Sequence, residues 1–369
     1  MTSHDRSGRT ALVTGATGYI GGALVPALID EGWRVRVLTR NRRRLDGLAW
    51  ADQVEVVEGD GSEATDVRRA VAGVDVAYYL LHSMDGNGDF VTRDRSLATT
   101  FATAAGQEGV GRVVYLGGLH PRGELSPHLA SRVEVGEIFL AGPVPATVLQ
   151  AGVVIGAGSA SFDMLRHLTE RLPAMVAPKW LRNRIQPIAI ADVVHYLVGS
   201  ADLSPEVNRS FDIGGPEVFT YARLMQRYAA AVGLRPRFIV TVPVLTPGLA
   251  GLWVGLVTPV PAGIARPLVG SLVHDAVCRE EDILEVVGAP PGGRTPFDAA
   301  VTSAVRAVDP QAWGRLVTRV GTMAAVALVA VMSTAASAAA ARRRRGSQCG
   351  HASPRGHGKA HHLTRNRVP

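Results

Sequence analysis

Hydrophobic positions in the first 156 residues follow two alternating patterns. Short apolar runs, typical of buried strands, alternate with stretches in which apolar residues recur every three or four positions, typical of helices packed on a sheet. Glycine closes several of the helical stretches. The pattern predicts strands at about 10–14, 34–40, 53–60, 74–83, 111–118 and 145–156, and helices at about 19–32, 63–73, 89–108 and 127–141.

This alternation predicts an α/β fold, a Rossmann-type doubly wound parallel sheet with helices on both faces. We assign residues 8–156 to that domain. Beyond residue 156 the alternation of strand and helix patterns becomes less regular, and residues 157–308 are expected to form a smaller C-terminal substrate lobe interleaved with the sheet. Asp192 is expected to cap a helix of this lobe.

Two apolar segments raise the question of membrane contact. Residues 239–273 are interrupted by five prolines, which excludes one continuous spanning helix. We interpret them as buried lobe packing, with an apolar substrate pocket or a membrane-contacting surface as alternatives. Residues 321–341 are uncharged and long enough to cross a bilayer, and RRRR follows them. Their Ala-rich half inserts weakly, so 309–369 is either a membrane helix, with contact through 321–345, or a low-complexity disordered tail.

The distribution of charge excludes some classes of partner. Of the 39 Lys and Arg residues, eight lie in 342–369 without any acid, so the remaining bases nearly balance the 32 acids. A body without a basic face argues against nucleic-acid binding. Cys278 and Cys349 stand far apart without a ligand pattern, which favours a reducing cytoplasm and neither a disulfide nor a metal site. The polar N-terminus carries no apolar signal region.

The stretch TGATGYIGG lies between the first predicted strand and the first helix. Glycines at such positions allow a tight turn, let the backbone approach a pyrophosphate and permit close packing of helix on strand. The free N–H groups of the helix N-terminus then hold the phosphates. The stretch therefore predicts a dinucleotide site formed by Gly15, Thr17, Gly18, Tyr19, Ile20 and Gly21.

The end of the second strand indicates which dinucleotide binds. NAD-binding folds place an acid there for the ribose hydroxyls, whereas this chain has LTRNRRR and no acid between Glu31 and Asp46. Arg40 stands where a 2′-phosphate would lie, and guanidinium groups bind phosphate well. The loop favours NADP over NAD, with a solvated basic turn as the alternative. We expect Asp60 to lie near the adenine, and Leu80 and Leu81 to flank the middle of the cofactor.

Four stretches carry a resemblance to a known family: TGATGYIGG, GD at 59–60, QPIAIADV and FDIGGPE. The chain resembles the short-chain dehydrogenase/reductase superfamily and has the glycine spacing of its extended branch. Most members carry a serine at the end of strand five and Tyr-x-x-x-Lys on the next helix. This chain has Gly117 and Gly118 there, and His128 and Arg132 in the His-x-x-x-Arg arrangement. The resemblance, over about residues 10–300, therefore implies an atypical member with His128 and Arg132 in the catalytic place.

The spacing of this pair is compatible with a shared role. Residues four apart lie on one helix face. His128 can give or take a proton near neutral pH, and the Arg132 cation should lower the pKa of the imidazole. Arg132 itself is a poor acid or base, but it can bind a ribose or steady a developing oxyanion. The alternative is an exposed helix start on which both side chains are merely solvated.

These observations lead to a first functional hypothesis. The chain is expected to be a cytoplasmic NADP-dependent oxidoreductase, with membrane association as the alternative, that transfers hydride to or from a small or lipophilic carbonyl or alcohol, with His128 giving or taking the proton. The alternatives are a non-catalytic NAD(P)H-binding sensor or scaffold, and an epimerase-like or dehydratase-like enzyme. We assign no catalytic role to five further polar positions near the expected site: His82, Ser83, Gln150, Arg184 and Gln186.

Overall fold

Strands and helices alternate along the computed structural model, which describes residues 6, 8–82, 90–121, 123, 125–242, 258, 270 and 272–308. The strands of the described residues are β1 (Thr10–Thr14), β2 (Arg34–Thr39), β3 (Glu55–Glu58), β4 (Val76–Tyr79), β5 (Arg112–Gly118), β6 (Ala146–Ala151), β7 (Val154–Ile155), β8 (Ala174–Pro178), β9 (Arg184–Ile185), β10 (Ile188–Ala189), β11 (Arg209–Ile213), β12 (Phe219–Thr220) and β13 (Phe238–Val242). The α-helices are α1 (Tyr19–Asp30), α2 (Ala64–Val71), α3 (Phe90–Gln107), α4 (Pro127–Leu140), α5 (Ala160–Arg171), α6 (Ile190–Gly199), α7 (Tyr221–Ala231), α8 (Ile283–Val286) and α9 (Phe297–Arg306).

A seven-stranded parallel sheet confirms the predicted Rossmann-type fold. Its strand order is β11-β6-β5-β4-β1-β2-β3. The chain moves outward from β1 through β2 to β3, and then returns to place β4 on the other side of β1. In open parallel sheets, ligands bind at the carboxyl ends of the strands where the order reverses in this way. The crevice between β1 and β4 is therefore the expected cofactor position.

The alternation of side chains along each strand divides the core into two layers. In β1, Ala11 and Val13 pack into one layer, whereas Leu12 between them packs into the other. The first layer is covered by α1 and α6, and the second by α2, α3 and α4. Both faces of the central strands are apolar because helices cover both faces.

One hydroxyl group closes the gap where β1 and β4 stop pairing. Their register ends at Val13 and Tyr78. Beyond this pair, the Thr14 Oγ1 donates to the Tyr78 carbonyl at 3.1 Å and accepts from the Leu80 N–H at 3.0 Å. Thr14 is fully buried, so these two bonds satisfy backbone groups that the sheet ladder no longer pairs.

The segment after β6 builds the smaller lobe. β7 pairs with β10, β9 with β12, and β8 with β13, each as a two-stranded sheet. A third apolar cluster forms there, with Phe162, Tyr228 and Phe297 at its centre. β11 belongs to the same part of the chain but joins the edge of the large sheet, so the lobe and the sheet are interleaved.

Two expectations need correction. The predicted strand at 145–156 is two strands, β6 and β7, because the chain leaves the sheet at Gly152, where an added Cβ would lie 3.0 Å from the Gln186 carbonyl oxygen. Asp192 is not a helix cap. It lies buried in the first turn of α6, where its carboxylate accepts from the backbone N–H and hydroxyl of Thr295 at 2.8 and 2.7 Å.

Some of the predicted features fall on residues outside the described ranges. They include most of the apolar segment 239–273, residue Ser83, and the whole of 309–369 with its candidate membrane segment. Within the described residues, no helix combines the length and apolarity needed to cross a bilayer.

Candidate active site

The glycine turn has the geometry that a pyrophosphate requires. Gly15 adopts a φ of 68°, and its carbonyl oxygen accepts from the Gly18 N–H at 2.9 Å. A Cβ on Gly21 would lie 2.4 Å from that same oxygen, so only glycine lets α1 approach the turn so closely. Gly18 caps α1 without a side-chain bond, and the first turn carries no acid. The N-terminal N–H groups are therefore open to an anion, which fits the phosphates of a dinucleotide.

The other predicted residues of the turn lie around it. Thr17 and Gly18 are exposed, whereas Ile20 packs against the first core layer. The Tyr19 side chain extends toward the lobe, where an added Cβ on Gly156 would overlap its hydroxyl. That hydroxyl is buried with no hydrogen-bond partner among the described residues, and burial raises the pKa of Tyr19 to about 12. The Tyr19 hydroxyl is therefore protonated at neutral pH and available as a donor.

Arg40 and Asp60 lie on the β2–β3 side of the turn. Arg40 is exposed directly after β2, followed by a short 3₁₀ turn that carries Arg42, Arg43 and Arg44. The Asp60 carboxylate accepts from the backbone N–H and hydroxyl of Ser62, both at 2.9 Å. These bonds, helped by the nearby charge of Arg40, lower the pKa of Asp60. An anionic Asp60 beside a cationic Arg40 gives this end of the site both an acceptor and a phosphate partner.

β4 connects the glycine turn to the predicted catalytic pair. An added Cβ on Gly15 would lie 2.7 Å from the Leu80 carbonyl oxygen, so β1 and β4 touch at the crevice. The Leu81 side chain lies against Gly61, where an added Cβ would be 3.0 Å from its Cδ1. One residue later, the His82 ring contacts the His128 ring with centroids 4.9 Å apart and planes at 53°. Residues 80–82 thus connect the backbone beside the glycine turn with the ring that contacts His128.

His128 and Arg132 lie at the start of α4 and pack against the end of β5. His128 is only 8% exposed, which argues against a solvated helix start. The Arg132 guanidinium donates to the Leu116 carbonyl oxygen and lies over the Tyr115 ring, 5.9 Å from its centroid. An added Cβ on Gly118 would be 3.6 Å from the Arg132 Nε. Arg132 therefore packs directly against the backbone at the end of β5.

A buried carboxylate that the sequence did not indicate completes the cluster. Asp94 of α3 is 4% exposed, and its Oδ2 lies 3.2 Å from the His82 Nδ1. The Ser131 hydroxyl donates to the same oxygen at 3.1 Å. A carboxylate can only accept, so the His82 Nδ1 carries the hydrogen. The His82 Nε2 is then an acceptor, and it is buried with no partner among the described residues.

The two imidazoles differ in their electrostatic surroundings. Burial, with added repulsion from Arg132 and His82, lowers the pKa of His128 to about 3. Burial also lowers the pKa of His82, but the hydrogen bond to Asp94 opposes that effect. His128 is thus neutral near pH 7 and can polarise a carbonyl through its N–H, as neutral catalytic imidazoles do. The lowered pKa matches the expected influence of Arg132, but it does not favour His128 as a group that titrates near neutrality.

The buried neutral imidazole should make the folded protein sensitive to acid. In the unfolded chain a histidine titrates near pH 6.5, so between about pH 6.5 and 3 the unfolded state takes up a proton that the folded state does not. Stability therefore falls as the pH falls through this window. We expect His128→Gln to reduce the loss of unfolding free energy between pH 7 and 5, by at most about 1.4 kcal/mol per pH unit. Urea unfolding at both pH values measures the difference.

A control for this experiment comes from the same helix. Val135→Ala removes buried methyl groups from α4 but no titrating group. It should lower the unfolding free energy at every pH and leave the slope with pH unchanged. Equal slopes for the wild type and His128→Gln would show that His128 is not held neutral in the fold.

The weaker candidates make polar contacts near the end of β6 and around β9. The Gln150 Nε2 lies 3.4 Å from the His120 Nε2, and its Oε1 lies 3.4 Å from the Arg279 Nη2. Gln186 is buried, donating to the Gly215 carbonyl at 2.8 Å and accepting from the Cys278 N–H at 3.0 Å. Arg184 is exposed and pairs with Asp275 at 2.8 Å. Gln186 and Arg184 are thus engaged in holding the lobe.

Comparison with known proteins supports an NAD(P)H-binding domain. Residues 15–138, from the glycine turn to α4, match the sequence profile of a family described as NAD(P)H-binding. The chain is 28% identical over 242 residues to the ceramide reductase of Caulobacter vibrioides (strain NA1000 / CB15N), covering 62% of this chain and 72% of the relative. It is 34% identical over 131 residues to the sterol demethylase protein B of Methylococcus capsulatus (strain ATCC 33009 / NCIMB 11132 / Bath), covering 32% and 39%. The chain thus spans well under two thirds of this second relative.

A solved structure shares the fold. The triphenylmethane reductase of Citrobacter sp. complexed with NADP(H) superposes with a TM-score of 0.62 at 19% identity, covering 80% of this chain and 99% of that one. The seven-stranded sheet, the glycine turn and the family match agree with one another. We conclude that residues 15–138 form an NAD(P)H-binding domain and that the chain has the Rossmann-type fold of these NAD(P)-binding proteins.

Proposed function

We propose that the protein is an NADP-dependent oxidoreductase that transfers hydride to or from a carbonyl or alcohol carbon of a lipophilic substrate. When bound, the nicotinamide supplies or accepts the hydride. The observation that carries the proposal is the contact of the His82 and His128 rings at the carboxyl end of β4, two residues after the backbone that abuts Gly15. This contact connects the expected phosphate-binding turn with His128 and Arg132 on α4.

Each side chain has a distinct part in this proposal. The α1 N-terminus and the glycine turn hold the pyrophosphate, and Arg40 binds the 2′-phosphate. The neutral His128 N–H polarises the substrate oxygen. Arg132, held by the Leu116 carbonyl oxygen and the Tyr115 ring, stabilises negative charge that develops on that oxygen. Burial of the cluster strengthens these interactions because little water screens them.

The substrate class rests on the named activities of relatives. One matched relative is a ceramide reductase, and another is a sterol demethylase protein. Both names refer to large apolar molecules. We therefore place a ketone or secondary alcohol on a long-chain or sterol lipid first among substrates.

A binding and turnover experiment tests the proposal. Purified full-length protein is titrated with NADPH and with NADH, and NADPH oxidation is followed with a long-chain 3-oxoacyl-CoA, a sterol ketone and a short aliphatic ketone. The proposal expects tighter binding of NADPH and turnover of at least one lipid ketone. Tight NADPH binding without turnover, unchanged by His128→Ala, would instead favour a cofactor-sensing protein.

Cofactor preference provides a separate prediction at Arg40. Arg40→Asp removes a charge-assisted bond to the 2′-phosphate and adds a repulsive carboxylate. We expect NADPH to bind about 10- to 100-fold more weakly, while NADH binding changes less than about 3-fold. Fluorescence titration of both nucleotides measures the two affinities.

Charge reversal at a distant exposed arginine serves as the matched control. Arg223 of α7 is exposed on the lobe, so Arg223→Asp changes the net charge equally without facing the glycine turn. It should leave both affinities close to the wild type. An equal loss of NADPH and NADH binding in Arg40→Asp would mean that Arg40 does not contact the 2′-phosphate.

A further inference from the structure

The cluster beside His128 contains a second imidazole with no task in the proposed reaction. His82 donates through Nδ1 to Asp94 at 3.2 Å, and the Ser131 hydroxyl holds the same carboxylate oxygen at 3.1 Å. This fixes the His82 tautomer and leaves Nε2 as a buried acceptor without a partner among the described residues. A buried acceptor without a donor costs free energy, so its persistence needs a reason.

The placement of Nε2 suggests what it does. The ring centroids of His82 and His128 are 4.9 Å apart. Rotation of the His128 ring at this separation can bring one of its nitrogens to about 3 Å from the His82 Nε2, the distance of an N–H···N bond, while the His82 bond to Asp94 is kept. Such a contact would satisfy the unpartnered Nε2 and couple His82 to His128.

The charged groups around His82 differ from those around His128. The described charged groups that act on His82 are Asp94 of α3 and Arg132 of α4, and the phenols of Tyr79 and Tyr115 lie near the same carboxylate. Asp94 is in direct hydrogen-bond contact with His82, so it stabilises the imidazolium form there. His128 faces the repulsion of Arg132, which the charge of Asp94 opposes more weakly. When the pair gains a proton, which the lowered pKa of His82 makes less frequent at neutral than at acidic pH, the positive charge therefore resides on His82.

We propose that His82, held by Asp94, is a positioning residue that relays the reaction proton through His128. The proposal rests on the oxidoreductase function above. In the reducing direction, the carbonyl carbon gains the hydride and its oxygen takes a proton from the N–H of His128. The other ring nitrogen of His128 takes the proton from the Nε2–H of the His82 imidazolium. His128 is neutral before and after, His82 becomes neutral, and Asp94 remains a carboxylate. The oxidising direction runs these transfers in reverse.

Kinetics with the full-length protein, NADPH and the best ketone of the panel test the relay. His82→Gln should lower kcat by about 100-fold, change the Kd for NADPH less than about 3-fold, and abolish the dependence of kcat on the titration of His82. Asp94→Asn should lower the apparent pKa of the kcat profile by about one unit, because the imidazolium loses its counter-charge. His195→Gln is the matched control, since His195 lies on α6 and its Nε2 contacts the Gly288 carbonyl oxygen at 3.2 Å.

A second measurement does not depend on turnover. Nitrogen NMR of ¹⁵N-histidine-labelled protein, with His82 assigned from the His82→Gln spectrum, reports which ring nitrogen carries the hydrogen. The relay expects an Nδ1–H tautomer of neutral His82 that is lost in Asp94→Asn, and a His128 signal that shifts when His82 titrates. These spectra are recorded with and without NADPH.

Different results overturn the relay and the proposed function. The relay is wrong if His82→Gln keeps the wild-type kcat and pH profile, or if the spectra show His82 protonated on Nε2 with its neighbour unaffected by its titration. Failure of every ketone to react while NADPH binds would remove the oxidoreductase function. In that case the NMR result still decides whether the two imidazoles exchange protons.

Discussion

Replacement of Gly21 by alanine is expected to weaken NADPH binding by at least about 100-fold and to destabilise the fold by about 1–3 kcal/mol. The added Cβ would lie 2.4 Å from the Gly15 carbonyl oxygen and 2.7 Å from the Ala16 Cα. Both are backbone atoms and cannot move aside as a side chain would. The helix must shift away from the turn, and its N–H groups then no longer converge on the phosphates. NADPH titration and urea unfolding measure the two effects.

The neighbouring glycine gives the matched control. An added Cβ on Gly22 would find its nearest atom, the Ala16 carbonyl oxygen, at 3.8 Å, which is an ordinary contact. Because alanine favours a helix over glycine by about 1 kcal/mol, Gly22→Ala should keep NADPH binding and leave stability unchanged or raised. If the two variants bound NADPH equally well, the close packing at Gly21 would not be what shapes the phosphate site.

The second large effect is expected at His128. Removal of one preorganised donor to a developing oxyanion typically costs about 100- to 1000-fold in kcat. We expect His128→Ala, which has no side-chain donor, to lose turnover of the best ketone by this factor, while NADPH binding stays within about 3-fold of the wild type. Steady-state kinetics together with a separate NADPH titration distinguish a lost donor from a lost cofactor site.

A substitution elsewhere on α4 tests whether the loss of turnover is specific to His128. Glu137 is exposed on α4, so Glu137→Gln removes a charge near the site without touching the cluster. It should keep most of the activity. Wild-type turnover in His128→Ala would show that His128 takes no part in the reaction, and a collapse of NADPH binding would assign it a structural role.

Much of the fold was predictable because each element of the sheet has a strong local pattern. β1, β2 and β5 lie within a residue of their predicted bounds, and the helices after β1, β4 and β5 start within one residue of the predicted positions. These segments are long enough for their periodicity to be unambiguous. The prediction of one strand at 145–156 was wrong because the chain leaves the sheet at Gly152, and an apolar run does not reveal such a tertiary constraint.

The carboxylate of the candidate site shows what a single sequence hides. Asp94 lies in the polar stretch TRDRS, which looks like an exposed helix surface. Yet it stands four residues before Ala98, and Ala98, Phe101 and Ala105 form the buried face of α3. A lone acid in register with an apolar face is the signal that could have identified it. The pairing of Asp94 with His82 cannot be predicted from spacing along the sequence, because the end of β4 and helix α3 meet only in the folded chain.

The charge state of the pair shows a similar limit. Local spacing correctly indicated that Arg132 would lower the pKa of His128. The larger cause is burial beneath β4 and β5, and no local pattern predicts that. The sequence therefore pointed to an imidazole that titrates near neutrality, whereas the fold holds a neutral hydrogen-bond donor.

The Thr14 hydroxyl has a mechanical consequence for nucleotide entry. It bridges β1 and β4 just where their ladder stops, so the two strands separate without leaving an amide or carbonyl bare. The hydrogen bonds at the carboxyl ends of these two strands are thus complete without a ligand. A dinucleotide that binds beyond them would not have to replace any bond of the sheet, so its binding and release are not expected to change the stability of the β1–β4 pairing.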